Sequence, residues 1–181
     1  MHALAVADPL FDQVERIRTK LGARGIALNP TLSEEAVQAF EARHAIRLPA
    51  EYRLYVLELG DGGPGPIEYG VQPLGTMPMA PTPFSDLSQV CEPFPFTRVW
   101  LWDFDEPSDE GSQEDIYRGG IYLGTDGCAM DWHLIITGPE RGIPWMLADE
   151  GIQPPCPRRH FLQWYEDWLD GRGSFYGFPS A

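Results

Sequence analysis

The sequence predicts an α+β domain with N-terminal helices, an antiparallel β-meander sheet and a C-terminal amphipathic helix. Apolar residues recur at helical spacing in the first third of the chain, whereas short apolar runs separated by glycine-containing turns fill the last third. With 181 residues, the chain has the length of one domain. We therefore expect a single domain over residues 1–181, and the sequence does not decide whether the tail 172–181 packs or is flexible.

The first two helices are marked by their N-terminal residues. Asp8 can cap the first helix, Pro9 suits its first position, and the apolar spacing ends before Gly22. The second helix lies in "TLSEEAVQAFEARH", where Thr31 and Glu34 have the spacing of a capping box. Each segment carries one apolar stripe, so both helices are expected to pack on a core.

A third helix is expected in "IRLPAEYRLYVLELGDGG", from Pro49 to the glycine run at 60–63. Tyr52, Val56 and Leu59 would form its buried side. The glycine run is not a phosphate-binding loop, because it follows a helix and lacks the Lys-Ser/Thr pair and the ensuing helix of such a loop.

The middle of the chain is predicted to be mostly loop, with "PIEYGVQPL" and "RVWLWDF" as short strands. Residues 72–96 hold six prolines, too many for a regular element. We expect a loop packed by Phe84, Phe94 and Phe96. Residues 103–115 contain seven acids and no base, and are expected to form an acidic loop.

The last third contains the clearest local signals. "GGIYLG", "AMDWHLIIT" and "IPWMLAD" predict three antiparallel strands, joined by hairpin turns at "TDGC" and "GPERG". Asp126-Gly127 would serve the first turn through its backbone angles. "RRHFLQWYEDWLDG" predicts an amphipathic helix with Gly171 as its C-cap. The apolar residues expected in the core of this region are Trp132, Trp145, Phe161, Leu162, Trp164, Tyr165, Trp168 and Leu169.

The net charge of −14 is unevenly distributed. Residues 1–59 carry −1, residues 60–118 carry −9 and residues 119–181 carry −4. Phosphate backbones repel so acidic a chain, so we expect no nucleic-acid partner and favour a basic protein partner. No apolar run reaches the roughly 18 residues of a membrane span, so no membrane partner is expected. The three cysteines form no CxxC pair, which favours a reducing cytoplasm as the location.

Four segments of the chain resemble the SUKH superfamily, specifically its Smi/Knr-type domains. In chain order they are "LPAEYRLYVLELGDGG", "GPIEYGVQPL", "GGIYLGTDGCAMDWHLIITGPERGIPWML" and "FLQWYEDWLDG". Their order and spacing carry the resemblance, which runs from about the second helix to the last. Two features depart from the family pattern: "GDGG" stands where an Asn-Gly pair is expected, and residues 72–115 match nothing in the family.

The resemblance implies a mixed α/β domain that binds another protein and performs no chemistry. Many bacterial members are immunity proteins of polymorphic toxin systems, which bind and neutralise a toxin domain. Fungal relatives act as hubs in cell-wall regulation. The family has no catalytic residues to assign to this chain, and it implies no cofactor, metal or small-molecule substrate.

A cluster of reactive residue types, Asp126, Cys128, Asp131 and His133, is the main candidate for chemistry. Because side chains alternate along a strand, only Asp131 and His133 share a face. A zinc site needs three or four ligands, and no other histidine has ligand-like spacing. The sequence also lacks HExxH and GxSxG. A hairpin with two polar residues on one sheet face is therefore the favoured interpretation.

The acidic middle of the chain is the candidate partner-binding surface. The segment "DFDEPSDEG" fails the calcium-loop pattern, because its fifth and sixth positions are Pro107 and Ser108. Clustered acids instead speed and orient the encounter with a basic protein, and flanking aromatic residues can anchor it. The residues assigned to this surface are Trp102, Asp103, Phe104, Asp105, Glu106, Asp109, Glu110, Glu114, Asp115 and Tyr117.

Together these observations predict a cytoplasmic, non-enzymatic immunity protein that occludes a cognate and basic toxin domain, such as a nuclease, by binding it one-to-one. Two alternatives stay open. One is a regulatory protein-binding scaffold of Smi/Knr type. The other is a small hydrolase that uses Asp131 and His133.

Overall fold

The computed structural model describes residues 8–79, 86–101, 111–148 and 150–172. The helices are α1 (Pro9–Arg24), α2 (Glu34–His44), α3 (Ala50–Leu54) and α4 (Phe161–Leu169). A π-helical turn, Tyr55–Leu59, extends α3, and a 3₁₀ helix spans Gln113–Tyr117. The strands are β1 (Trp100–Leu101), β2 (Gly120–Gly127), β3 (Met130–Ile135), β4 (Pro144–Ala148) and β5 (Gly151–Gln153). This arrangement confirms the predicted α+β class.

The five strands form one antiparallel sheet in the order β1-β5-β4-β3-β2. Strands β2 to β5 follow one another as a meander, and β1 adds to the β5 edge. The predicted strands of the last third are confirmed, and β5 is an addition that the sequence did not indicate.

Helices cover one face of the sheet. Trp132 and Leu134 of β3 point into this layer, where they join buried residues of α1, α3 and α4. The indole ring of Trp132 lies 5.1 Å from that of Trp164 in α4. Burying an aromatic side chain of this size is worth about 2–3 kcal/mol, so this layer supplies a large part of the driving force for folding.

The opposite face of the sheet is covered by residues 94–96 and by the 3₁₀ helix, whereas Leu87 and Val90 pack with the helical layer. Phe94, Phe96 and Ile116 pack there against Trp145 and other residues of β3, β4 and β5. The ring centroids of Phe94 and Trp145 are 5.1 Å apart. Phe94 and Phe96 thus pack the end of the proline-rich segment, as predicted; Phe84 lies outside the described residues.

The helix ends differ from the predictions in two places. Helix α1 has Asp8 as its cap, as predicted, but continues past Gly22 to a left-handed Gly25. A single glycine in a helix costs only about 1 kcal/mol, so Gly22 does not have to end the helix, and Gly25 forms its left-handed C-cap. Helix α2 is capped by Ser33, whose Oγ accepts from the amide of Ala36 at 3.2 Å, and not by Thr31.

The segment "PIEYGVQPL" is a turn-rich loop and not the predicted strand. Gly70 has a φ of 78°, a left-handed conformation, and a Cβ there would lie 2.7 Å from the carbonyl oxygen of Gly63. The chain bends back so that Gly63 and Val71 form an isolated bridge. Only scattered bonds reach β2, such as that from the Gln72 amide to the Leu123 carbonyl at 2.7 Å.

Two other predicted segments, a strand and a loop, differ from the structure over part of their length. Of the predicted strand "RVWLWDF", Trp100 and Leu101 are strand, and residues 102–110 lie outside the described part of the chain. Within the acidic segment, Gln113–Tyr117 is a 3₁₀ helix and not loop, because Ser112 and Asp115 form a capping box that nucleates it. Along the described ranges, no helix has the length and apolarity needed to cross a bilayer.

The turn between β2 and β3 also shifts from its predicted position. Cys128 and Ala129, with φ of 50° and 58°, occupy its two central positions, where Asp126-Gly127 was expected. Strand β2 continues through Gly127 with an irregularity between Thr125 and Gly127. The physical reason is that the Asp126 side chain bonds elsewhere, as described below.

Candidate functional site

Most of the predicted acidic surface lies outside the described residues: Trp102, Asp103, Phe104, Asp105, Glu106, Asp109 and Glu110. The other three residues belong to the 3₁₀ helix Gln113–Tyr117. Glu114 is exposed. Asp115 is already engaged, since its carboxylate accepts from the Ser112 amide at 2.7 Å and pairs with Arg118 at 2.8 Å. Tyr117 packs against the second core layer, so Glu114 is the described member best placed to meet a partner.

Asp131 and His133 share the face of β3 that looks away from the helices, as predicted, but they form no pair. His133 is 3% exposed, and neither ring nitrogen has a hydrogen-bond partner among the described residues. Its ring lies 5.7 Å from those of Tyr117 and Tyr122. Burial without a partner lowers the pKa of His133 to about 4.

Asp131 is partly buried at the hairpin end of β3. Burial raises the pKa of its carboxyl group, and a hydrogen bond with the Thr125 side chain opposes that rise. A general base needs a hydrogen-bonded partner that orients it, and neither histidine nitrogen bonds to a carboxylate in the part of the chain that the structure describes. Nor do three His, Cys, Asp or Glu side chains meet as a metal-ligand set anywhere in the described ranges.

Ion pairs link the helices of the helical layer. Arg16 and Lys20 of α1 bind Glu166 of α4 at 3.0 and 2.9 Å. Arg53 of α3 bonds to Glu34 of α2. These contacts tie the helices together.

Beyond the helical layer, exposed carboxylates lack such partners. Glu68, Glu92 and Glu114 are exposed, and no cation pairs with them in the part of the chain that the structure describes. Residues 60–118 contain only two bases, Arg98 and Arg118, and Arg118 is paired with Asp115. Among the described residues, this part of the chain therefore presents exposed carboxylates with few cations to offset them.

Asp126 links the β2–β3 hairpin to the loop 61–73. Its Oδ1 accepts from the amide of Glu68 at 2.7 Å, and its Oδ2 accepts from the indole Nε1 of Trp132 at 2.8 Å. The prediction that Asp126 serves only through its backbone angles is therefore wrong. The carboxylate holds a loop and a core tryptophan in fixed positions.

A groove opens beside this link, between the loop and the end of α4. Its walls include Pro64, Pro66, Glu68, Asp126 and Trp168, and it encloses about 440 Å³. The loop wall is fixed to α4, because the hydroxyl of Tyr165 donates to the carbonyl of Pro64 at 2.5 Å. Trp168 is half-buried, with its ring centroid 5.4 Å from that of Tyr165. The prediction of Trp168 as a core residue is thus correct only for part of its surface.

Sequence reasoning missed this groove. Glu68 was placed in a strand, Asp126 in a turn and Trp168 in the core, and about forty to sixty residues separate each from the next along the chain. One available signal was Pro64 and Pro66 flanking a glycine, which argues against a strand starting there. That signal locates a loop, but it does not indicate what the loop packs against.

We compared the chain with known proteins. No model of a protein family, no curated protein and no solved structure matches it.

Proposed function

We propose that this protein is a non-enzymatic immunity protein, which binds a basic toxin domain one-to-one in the cytoplasm and blocks it. The observation that supports this most is the uneven distribution of charge. Residues 1–59 carry a net charge of −1 and residues 60–118 carry −9, and Glu68, Glu92 and Glu114 are exposed without a cation among the described residues. The resemblance to Smi/Knr-type domains supports the toxin-neutralising form of binding.

Unmatched carboxylates favour a basic partner for a physical reason. Solvent-exposed acids repel one another, and a cationic surface relieves that repulsion while it accelerates encounter. Basic toxin domains that act on nucleic acids present such surfaces, since they must attract phosphates. The protein would then inhibit by covering the active surface of the toxin.

The test is co-expression of the full chain with the toxin domain encoded beside its gene. We expect cells to survive induction of the toxin and the two proteins to co-purify as a one-to-one complex. Survival without co-purification would contradict direct binding. An isolated gene among cell-wall or metabolic genes would favour the regulatory scaffold.

The hydrolase alternative has its own test in the same assay. A variant with both Asp131→Ala and His133→Ala removes the two residues that this alternative requires. We expect it to protect cells as long as it stays folded, which circular dichroism checks. Loss of protection by a folded variant that still co-purifies with the toxin would favour the hydrolase.

A further inference from the structure

We infer that the groove between the loop 61–73 and the end of α4 receives an arginine side chain of the protein partner. This inference rests on the proposed function, because it names the part of a basic partner that one site accepts. The groove combines an aromatic ring, two proline faces and an exposed carboxylate in one concavity, lined by Trp168, Pro64, Pro66 and Glu68.

The carboxylate of Glu68 is available for a cation. It is exposed, it forms no ion pair with a described residue, and its backbone amide is held by Asp126 at 2.7 Å. The nearby Arg172 is engaged, at 3.4 Å from Asp167. Residues 173–181 contain no Lys or Arg.

The other walls suit the flat, weakly hydrated head of arginine better than the ammonium of lysine. A guanidinium can stack on the Trp168 ring while it donates two parallel hydrogen bonds to one carboxylate. The two prolines contact an aliphatic stem without offering donors that compete for the carboxylate. Asp126 adds a second negative charge at the same wall.

The groove is preorganised, which lowers the entropic cost of filling it. Four anchors hold its walls: the bonds from Glu68 and Trp132 to Asp126, from Tyr165 to Pro64, and from the Gln72 amide to Leu123. Gly65 lets the loop approach α4 closely, since a Cβ there would lie 3.1 Å from Cε2 of Tyr165. The loop does not have to order itself on binding.

The test uses the ¹⁵N-labelled full chain and two small probes, N-acetyl-arginine amide and its neutral analogue N-acetyl-citrulline amide. We expect the arginine probe to shift the Trp168 indole and Glu68 amide signals saturably, with a dissociation constant of roughly a millimolar for so small a ligand. The citrulline probe, which has the same shape without the charge, should shift them about tenfold less.

Two variants make the test specific to the groove. Glu68→Gln should weaken the arginine probe about fivefold or more. Glu92→Gln, the matched control, removes an exposed carboxylate near Gly119, at the opposite end of β2, and should leave the affinity of the groove for the arginine probe unchanged. Equal shifts with citrulline, equal binding to Glu68→Gln, or signals that move only outside the groove would overturn the inference.

The arginine site and the proposed function can each fail without the other. Suppose that a toxin domain co-purifies equally well with the wild type and with Glu68→Gln, and that the arginine probe does not bind in the groove. The proposed function is then supported and the arginine site is contradicted. If the arginine probe fills the groove but no toxin domain binds the chain, the site stands and the immunity function fails.

Discussion

His133 is a buried imidazole, packed between Tyr117 and Tyr122, and neither of its nitrogens has a hydrogen-bond partner among the described residues. An unpaired polar atom in such a place costs stability, because folding removes its hydrogen bonds to water. Replacing His133 with Phe keeps an aromatic ring and removes both nitrogens. We expect the free energy of unfolding to rise by about 1–3 kcal/mol near neutral pH, measured by urea denaturation. Destabilisation by Phe would mean that the histidine nitrogens are bonded in solution.

The same residue predicts a pH dependence. Burial lowers the pKa of folded His133 to about 4, whereas an unfolded histidine titrates near 6.5. Above about pH 6.5 neither state binds the proton; below it only the unfolded state does, so stability falls as pH falls towards about 4. Urea denaturation between about pH 7.5 and pH 5 should show this loss in the wild type and a smaller loss in His133→Phe. If the free energy of unfolding fell equally with pH in both proteins, the low pKa of folded His133 would be contradicted.

Glu166 is buried like His133, but its carboxylate accepts several hydrogen bonds. Burial disfavours its charge, but hydrogen bonds from Arg16, Lys20 and Gln13 outweigh this effect and lower the pKa to about 2. Its contribution to stability is therefore present above about pH 4.5 and is lost as pH falls towards about 2. It acts in a more acidic range than His133, so the two effects can be separated.

Glu166→Gln should lower the free energy of unfolding by about 1–3 kcal/mol, because charge-assisted bonds that join α1 to α4 are lost. The cost is limited because the Arg16 side chain is 53% exposed and can turn to water. Glu58→Gln is the control, since its pair with Arg18 is exposed and 3.6 Å long and should change stability by less than about 1 kcal/mol. Chemical denaturation at neutral pH compares the two variants, and equal stabilities would contradict the anchoring role of Glu166.

At the scale of the elements, the β2–β3 hairpin offers a direct test of its turn. Cys128 and Ala129 both adopt positive φ, which costs non-glycine residues about 1 kcal/mol each. Replacing Cys128-Ala129 with Asn-Gly should raise the thermal midpoint and stabilise the domain by about 1 kcal/mol. If the turn were centred on Asp126-Gly127 instead, the same change would place a glycine in a strand and lower the midpoint.

Elements with a strong local pattern were predictable. Helix α1 and strands β2 to β4 carry their own periodicity and end signals, so tertiary contacts changed only their boundaries. "PIEYGVQPL" has strand-like composition, but Gly70 and the bridge from Gly63 to Val71 fold it into a loop. The turn of the hairpin moved because Asp126 bonds to Glu68, 58 residues away, a contact that no local pattern contains.

The groove was unpredictable for the same reason. Glu68, Asp126 and Trp168 come from a loop, a strand and a helix, and only the folded chain brings them together. Each has an ordinary local explanation, and a site made of such residues has no sequence motif. By contrast, the uneven charge was visible in the sequence, because counting residues requires no tertiary contact.

At the scale of the whole molecule, residues 1–59 carry a net charge of −1, whereas residues 60–118 carry −9. Long-range attraction to a basic partner would therefore act mainly through residues 60–118. Such attraction sets the rate of association more than the lifetime of the complex, and salt screens it over about 10 Å at 0.1 M ionic strength. The charge distribution thus predicts an association rate that falls as the salt concentration rises.

The most direct measurement is the association rate constant between the purified full chain and the toxin domain that the proposed function predicts as its partner, by stopped flow at low and high ionic strength. We predict a rate that falls steeply with salt. A variant with Asp105→Asn, Glu106→Gln, Asp109→Asn and Glu110→Gln, all outside the described residues, should associate about tenfold or more slowly at low salt and like the wild type at high salt. A rate that is independent of salt and equal for both proteins would contradict binding through the acidic surface.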